Sequence, residues 1–105
     1  MIKNFQPKKG EPITFTITFS DAVNFSNVEL AAKKSYADTN FSIYVSLGNG
    51  ITKISDTTYQ VVIPTNNLNY ETYLYDFRVI LASVPYMPLS GKITIKPNVY
   101  EVYNG

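Results

Sequence analysis

The sequence predicts an all-β domain, an antiparallel structure of six or seven strands. Three observations predict it. Apolar and polar residues alternate with period 2 in several short segments, as they do where one face of a strand is buried and the other is wet. Gly, Pro, Asn, Asp and Ser separate those segments at about 8–12-residue spacing, with no long helical pattern between them. The composition, with nine Tyr, six Phe and many Thr, Ile and Val, suits a pleated, half-buried surface.

The longest alternation runs from residue 72 to 83. Tyr73, Tyr75, Phe77, Val79 and Leu81 fall on one face, which is wholly apolar or aromatic. Leu74, Asp76, Arg78, Ile80 and Ala82 fall on the other, apolar at both ends and charged in the middle. The first face points to a core and the second is covered in part, which places this strand at the centre of the sheet.

The remaining elements follow in order. Residues 1–11 are a polar arm, in which Ile2 and Phe5 can dock on the domain or on a partner, and Pro7, Gly10 and Pro12 interrupt regular pairing. Residues 13–19 alternate without a fault, with Ile13, Phe15, Ile17 and Phe19 inward and Thr14, Thr16 and Thr18 outward. Residues 20–26 turn. Residues 27–37 admit two readings. Ser26-Asn27-Val28-Glu29 has the form of a capping box ahead of good helix formers; alternation instead turns Val28, Leu30 and Ala32 inward on a strand. Phe41, Ile43, Val45 and Leu47 alternate next. Gly48-Asn49-Gly50 then predicts a hairpin to a short returning strand at 51–54. Tyr59, Val61 and Ile63 face inward before Pro64 ends that strand. Leu68 is expected to plug the end of the core. Val84-Pro85-Tyr86-Met87-Pro88 reads as the hairpin loop after the central strand, and residues 89–96 as the last core strand, with Ile93 and Ile95 inward. Residues 98–105 form a tail, in which 99–103 can make an edge strand. The predicted core layer is Phe15, Ile17, Val45, Val61, Tyr75, Phe77, Val79 and Ile93. Each such side chain, fully buried, contributes roughly 1.5–3 kcal/mol. Leu68 with Tyr73-Leu74-Tyr75 also has the form of a tyrosine corner, with Tyr75 where an antibody domain carries Cys.

At 105 residues the chain makes one domain, 1–105. Charged residues are 16%, below the roughly 25% of an average chain, and the net charge is +1. Clustered Lys and Arg, which phosphate binding needs, are missing, so no nucleic-acid partner is expected. There is no Cys and no His. That removes disulfides, thiolate zinc sites, thiol nucleophiles and the commonest general base. No apolar run approaches the roughly 20 residues that span a bilayer, and residues 1–7 lack a secretory signal's apolar stretch. No membrane insertion is expected.

Several segments resemble landmarks of a known family. These are residues 10–19 (Gly-Glu-Pro-Ile-Thr-Phe-Thr-Ile-Thr-Phe), 29–40, 46–51 (Ser-Leu-Gly-Asn-Gly-Ile), 73–77 (Tyr-Leu-Tyr-Asp-Phe) and 89–99. Together they resemble small immunoglobulin-like domains of tailed-bacteriophage and prophage structural proteins, similar in organisation to baseplate-protein N-terminal domains. The resemblance covers residues 10–99. It implies an antiparallel immunoglobulin-like β-sandwich, favours the strand reading of 27–35, and implies a virion structural or assembly role without catalysis or cofactor. The protein would be made in the host cytoplasm and reside in the virion. Asn66-Asn67 stands where the family usually has an acidic-Thr pair.

Residue by residue, nothing assembles an active site. The eight acidic residues are scattered over different loops and strands, not paired as glycoside hydrolysis needs. Asp21, Asn24, Asp38 and Asp56 lack the dense alternation of a calcium loop. Asp76 and Arg78 are read as part of a cross-strand ion pair. The candidate protein-binding residues are Phe5, Tyr86, Met87, Tyr100 and Tyr103, because Tyr and Met are enriched at interfaces; Tyr70 belongs to the same set of exposed aromatics. The expected function is docking onto other virion proteins or onto itself as a homo-oligomer. The alternative is a surface-binding module for a cell-surface glycan or protein, and the absence of Trp weighs against the glycan.

Overall fold

The computed structural model of the protein describes residues 1–100. Tyr103 and the end of the expected edge strand at 99–103 lie outside them. The described residues form seven strands and no helix: β1 (Ile13–Thr18), β2 (Asn27–Lys33), β3 (Ile43–Leu47), β4 (Gly50–Lys53), β5 (Thr58–Ile63), β6 (Thr72–Leu81) and β7 (Val84–Thr94). They make one sheet in the order β1-β5-β4-β3-β2-β6-β7. Residues 27–33 are therefore a strand. Val28, Leu30 and Ala32 are buried in it, so the apolar alternation outweighs the local capping signal.

The sheet curls into a half-barrel. The arm runs parallel to β7, bridging Ile2 to Ser90, Phe5 to Ile93 and Lys8 to Lys96. Yet the Phe5 ring lies 5.1 Å from that of Phe15 on β1, at the other end of the sheet. The two ends thus meet across the core. Every residue of the predicted core layer is buried except Ile17, which is half-buried. Leu68 closes one end, and Thr65, fully buried, accepts from the Gly10 amide at 2.8 Å and donates to the Glu11 carbonyl at 2.9 Å. The tyrosine corner is present: the Tyr73 hydroxyl accepts the Asn69 amide, four residues upstream, at 3.1 Å. β6 lies between β2 and β7, inside the sheet as its two faces require.

Three sequence expectations are corrected. Val84–Pro88 is not a loop: the turn is Ala82-Ser83, and both residues hold positive φ, 51° and 66°. Pro85 and Pro88 instead sit at the start of β7, where a bulge interrupts the register between Phe77 and Val79; Pro is tolerated at an edge and at a bulge. Gly48-Asn49-Gly50 does not turn an antiparallel hairpin. Ser46 and Asn49 exchange backbone hydrogen bonds of 2.8 and 2.9 Å, and the chain leaves that loop parallel to β3, pairing Ser46 with Gly50 and Leu47 with Ile51. The sheet is therefore mixed. Finally, Phe41 is not an inward residue of β3; it precedes the strand and is exposed.

Candidate functional site: the outer face of β3, β2, β6 and β7

Register builds one face from the residues that alternation turns away from the core. Tyr44 lies across from Ala31, and Ala31 across from Asp76 and then Ser90. One step along, Ser46 lies across from Glu29, and Glu29 across from Arg78. On the other side, Lys33 lies across from Leu74 and Leu74 from Lys92. Residues directly opposite share a face and touch.

Glu29 is the unusual member. It sits on the solvent side of the sheet, yet it is only 3% exposed. Its neighbours cover it and satisfy it: Arg78 donates to Oε1 and forms an ion pair, the Tyr44 hydroxyl donates to Oε2, and the Asn27 amide donates to Oε2 at 3.2 Å. A buried carboxylate persists only with such partners. Its hydrogen bond, and then burial, hold the Tyr44 phenol above its ordinary range. Arg78 thus makes a cross-strand ion pair, as expected of it, with Glu29 of β2.

Large apolar groups gather over this network. Phe41 and Tyr44 stack with centroids 5.6 Å apart and planes 13° from parallel. The Lys33 ammonium lies 5.6 Å from the Phe41 centroid. With Tyr36, Leu74, Asp76 and Met87 these residues line a depression of about 200 Å³. Tyr36 is 78% exposed, Phe41 54%, Tyr44 44% and Met87 56%. A contiguous exposed apolar patch rimmed by charges is the usual form of an interaction surface.

The sequence candidates divide around this face. Met87 belongs to it. Tyr86 is exposed but lies across from Val79, on the core-facing side of the register. Phe5 packs against Phe15 and Tyr75, inside the fold. Tyr70 packs partly on the core, with the Lys9 ammonium 5.3 Å from its ring centroid. Tyr100 is exposed beyond β7, and the Asn98 side chain accepts its amide at 2.8 Å. Tyr36, Phe41 and Tyr44 were missed. Tyr44 carried a signal, as a large aromatic on the polar side of a predicted strand, but its partners depend on a register that the sequence does not print.

No protein-family model matches the chain, and no curated protein sequence does. Solved structures share its fold. It is similar to the swine CD8αα homodimer at 15% identity and a TM-score of 0.56, over 88% of this chain and 91% of that one. It is also similar to the extracellular domain of the voltage-gated sodium channel β4 subunit, described as a parallel homodimer with a role in cell–cell adhesion. There the identity is 12% and the TM-score 0.51, over 93% of each chain. The chain has an all-β fold with immunoglobulin-like neighbours.

Proposed function

We propose that this protein is a non-enzymatic structural module that acts by docking a second copy of itself through the outer face of β3, β2, β6 and β7. The carrying observation is the exposed cluster of Tyr36, Phe41, Tyr44 and Met87. The face bears both charge signs: Lys33 and Lys92 lie in one row and Asp76 in the next. A two-fold apposition lets Lys33 of one copy meet Asp76 of the other while the apolar groups close on each other. That both solved neighbours are described as homodimers supports the reading. In it, the sheet is an immunoglobulin-like sandwich whose two layers are joined through the short parallel pair β3–β4.

The setting we propose is the virion of a tailed phage or prophage, supported by the sequence landmarks at residues 10–99. Light scattering over a concentration series tests the docking. Phe41→Asp, at an exposed position, is expected to lower the mean mass at high concentration while leaving the thermal transition nearly unchanged; an unchanged mass overturns the reading. Mass spectrometry of purified particles tests the setting, and absence of the chain from them overturns it. One observation favours the alternative of glycan recognition: the stacked Phe41–Tyr44 pair is a flat aromatic platform. A glycan array that is positive for the native chain and blank for Phe41→Asp would select it.

A further inference from the structure

The sheet has two ends, and the molecule treats them differently. At β7 the edge is covered. The arm's backbone pairs along it, with Lys3 and Phe5 amides donating to Ser90 and Lys92 carbonyls at 2.9 Å each and the Thr94 and Lys96 amides donating back at 2.9 Å. Pro85, Pro88 and a bulge interrupt the stretch of β7 beyond the arm. These are the devices by which natural sheets block edge-to-edge pairing. At β1 the described residues show no such ladder. Among them β1 pairs only with β5, and the arm's backbone bridges go to β7 and to Lys96 just past it. The arm reaches β1 through side chains, with the Phe5 ring 5.1 Å and the Lys3 ammonium 5.9 Å from the Phe15 ring. Residues 13–19 themselves contain no charge, no Pro and no Gly, and β1 has no bulge.

We infer that β1 is a second self-association surface, on which the β1 of another copy adds antiparallel to continue the sheet. Two-fold symmetry limits the register. Opposed residues must share a face, or every apolar side chain would turn to solvent. Centring the pair on Thr16 satisfies this: Thr16 meets Thr16 of the second copy, Phe15 meets Ile17, Thr14 meets Thr18 and Ile13 meets Phe19. The inward residues then extend one continuous apolar layer, and the outer row becomes a threonine ladder. The protein already uses this contact across strands, in Thr18–Thr58 with hydroxyls 3.0 Å apart and Thr72–Thr94 at 2.9 Å. A second copy is therefore a fitting occupant: it supplies an uncharged strand of matching alternation and a hydroxyl for each outward hydroxyl.

This edge is separate from the aromatic face, so the two associations are tested apart. The chain has no Cys, which makes single cysteines clean reporters. Under mild oxidation Thr16→Cys is expected to give a covalent dimer. Thr14→Cys alone gives none, and Thr14→Cys together with Thr18→Cys restores crosslinking. Equal yields at all sites, or none at Thr16 in a folded variant, overturn the inference. In light scattering, Thr16→Lys and Phe41→Asp are each expected to stop assembly at a dimer, and the double variant to be a monomer. If Phe41→Asp alone yields a monomer, the edge contributes nothing and the inference fails. If Thr16→Lys alone yields a monomer, the edge stands and the face reading fails.

Discussion

Arg78 is half-exposed while the carboxylate it pairs with is buried. The two partners are therefore unequal under mutation. Arg78→Met leaves Glu29 under the sheet surface with only Tyr44 and Asn27, and is expected to cost about 2–3 kcal/mol, because an uncompensated buried charge loses more than its bond. Replacing Glu29 with Gln in the same background is expected to recover part of that loss, measured by urea denaturation. Tyr75 offers a pH readout. It is buried between the arm and the core, its hydroxyl donates to the Lys3 carbonyl, and burial, with a smaller push from Asp76, raises its phenol to about 12. The unfolded phenol ionises near 10. The folded state thus holds this proton more tightly, so the contribution is complete below about pH 10 and is lost as pH rises from there toward 12. Tyr75→Phe is expected to cost ~1 kcal/mol at neutral pH and to flatten the alkaline fall in stability. A slope unchanged in the variant would assign the fall to other groups. Gly50 is needed for two reasons: its φ is +97°, and a Cβ there would lie 2.7 Å from Val45 Cγ1 and 3.2 Å from the Val62 carbonyl oxygen. Gly50→Ala is expected to lose about 2–3 kcal/mol by differential calorimetry.

At the scale of elements, the clearest test lies in the β6–β7 turn. Two consecutive positive φ values are the mark of a type I′ turn, which favours Asn-Gly, yet this chain places Ala82-Ser83 there. Replacing the pair with Asn-Gly is expected to raise stability by roughly 0.5–1 kcal/mol with no change of fold; a loss would contradict the turn. The same residues explain why the turn was illegible. Ala-Ser carries no turn signal, while the prolines just downstream carry a strong one, and in the fold they serve the edge and the bulge instead. Gly48-Asn49-Gly50 misled in the opposite direction. Its glycines do permit the left-handed backbone that was predicted, but the ring of Ser46–Asn49 hydrogen bonds returns the chain to the same direction. β1, β5 and β6 were plain in the sequence because their alternation is unbroken and the fold uses it directly. At the arm, Gly91→Ala would set a Cβ 2.1 Å from the Lys3 carbonyl oxygen. It is expected to lift the arm and speed hydrogen exchange at the Lys3 and Phe5 amides, leaving the β2 and β6 amides protected.

At the scale of the molecule, the core was legible and the outer face was not. Burial follows from alternation within one strand, which a sequence displays. The face depends on which strand lies beside which. Tyr44, Glu29 and Arg78 come from three segments that only the order β3-β2-β6 brings together, and Phe41 reaches them from a loop. Phe5 is the converse case: an apolar residue in a polar arm reads as a docking group, and the half-barrel uses it to bridge its own two ends. The arm and β7 run in the same direction, so Met1 lies beside Pro88, midway along β7, while the chain continues past Lys96 beyond the strand's far end. A molecule pulled by Met1 and Tyr100 therefore loads the ladder between arm and β7 along its length. Its hydrogen bonds are expected to resist together as a bolt does, instead of opening one after another as a zip.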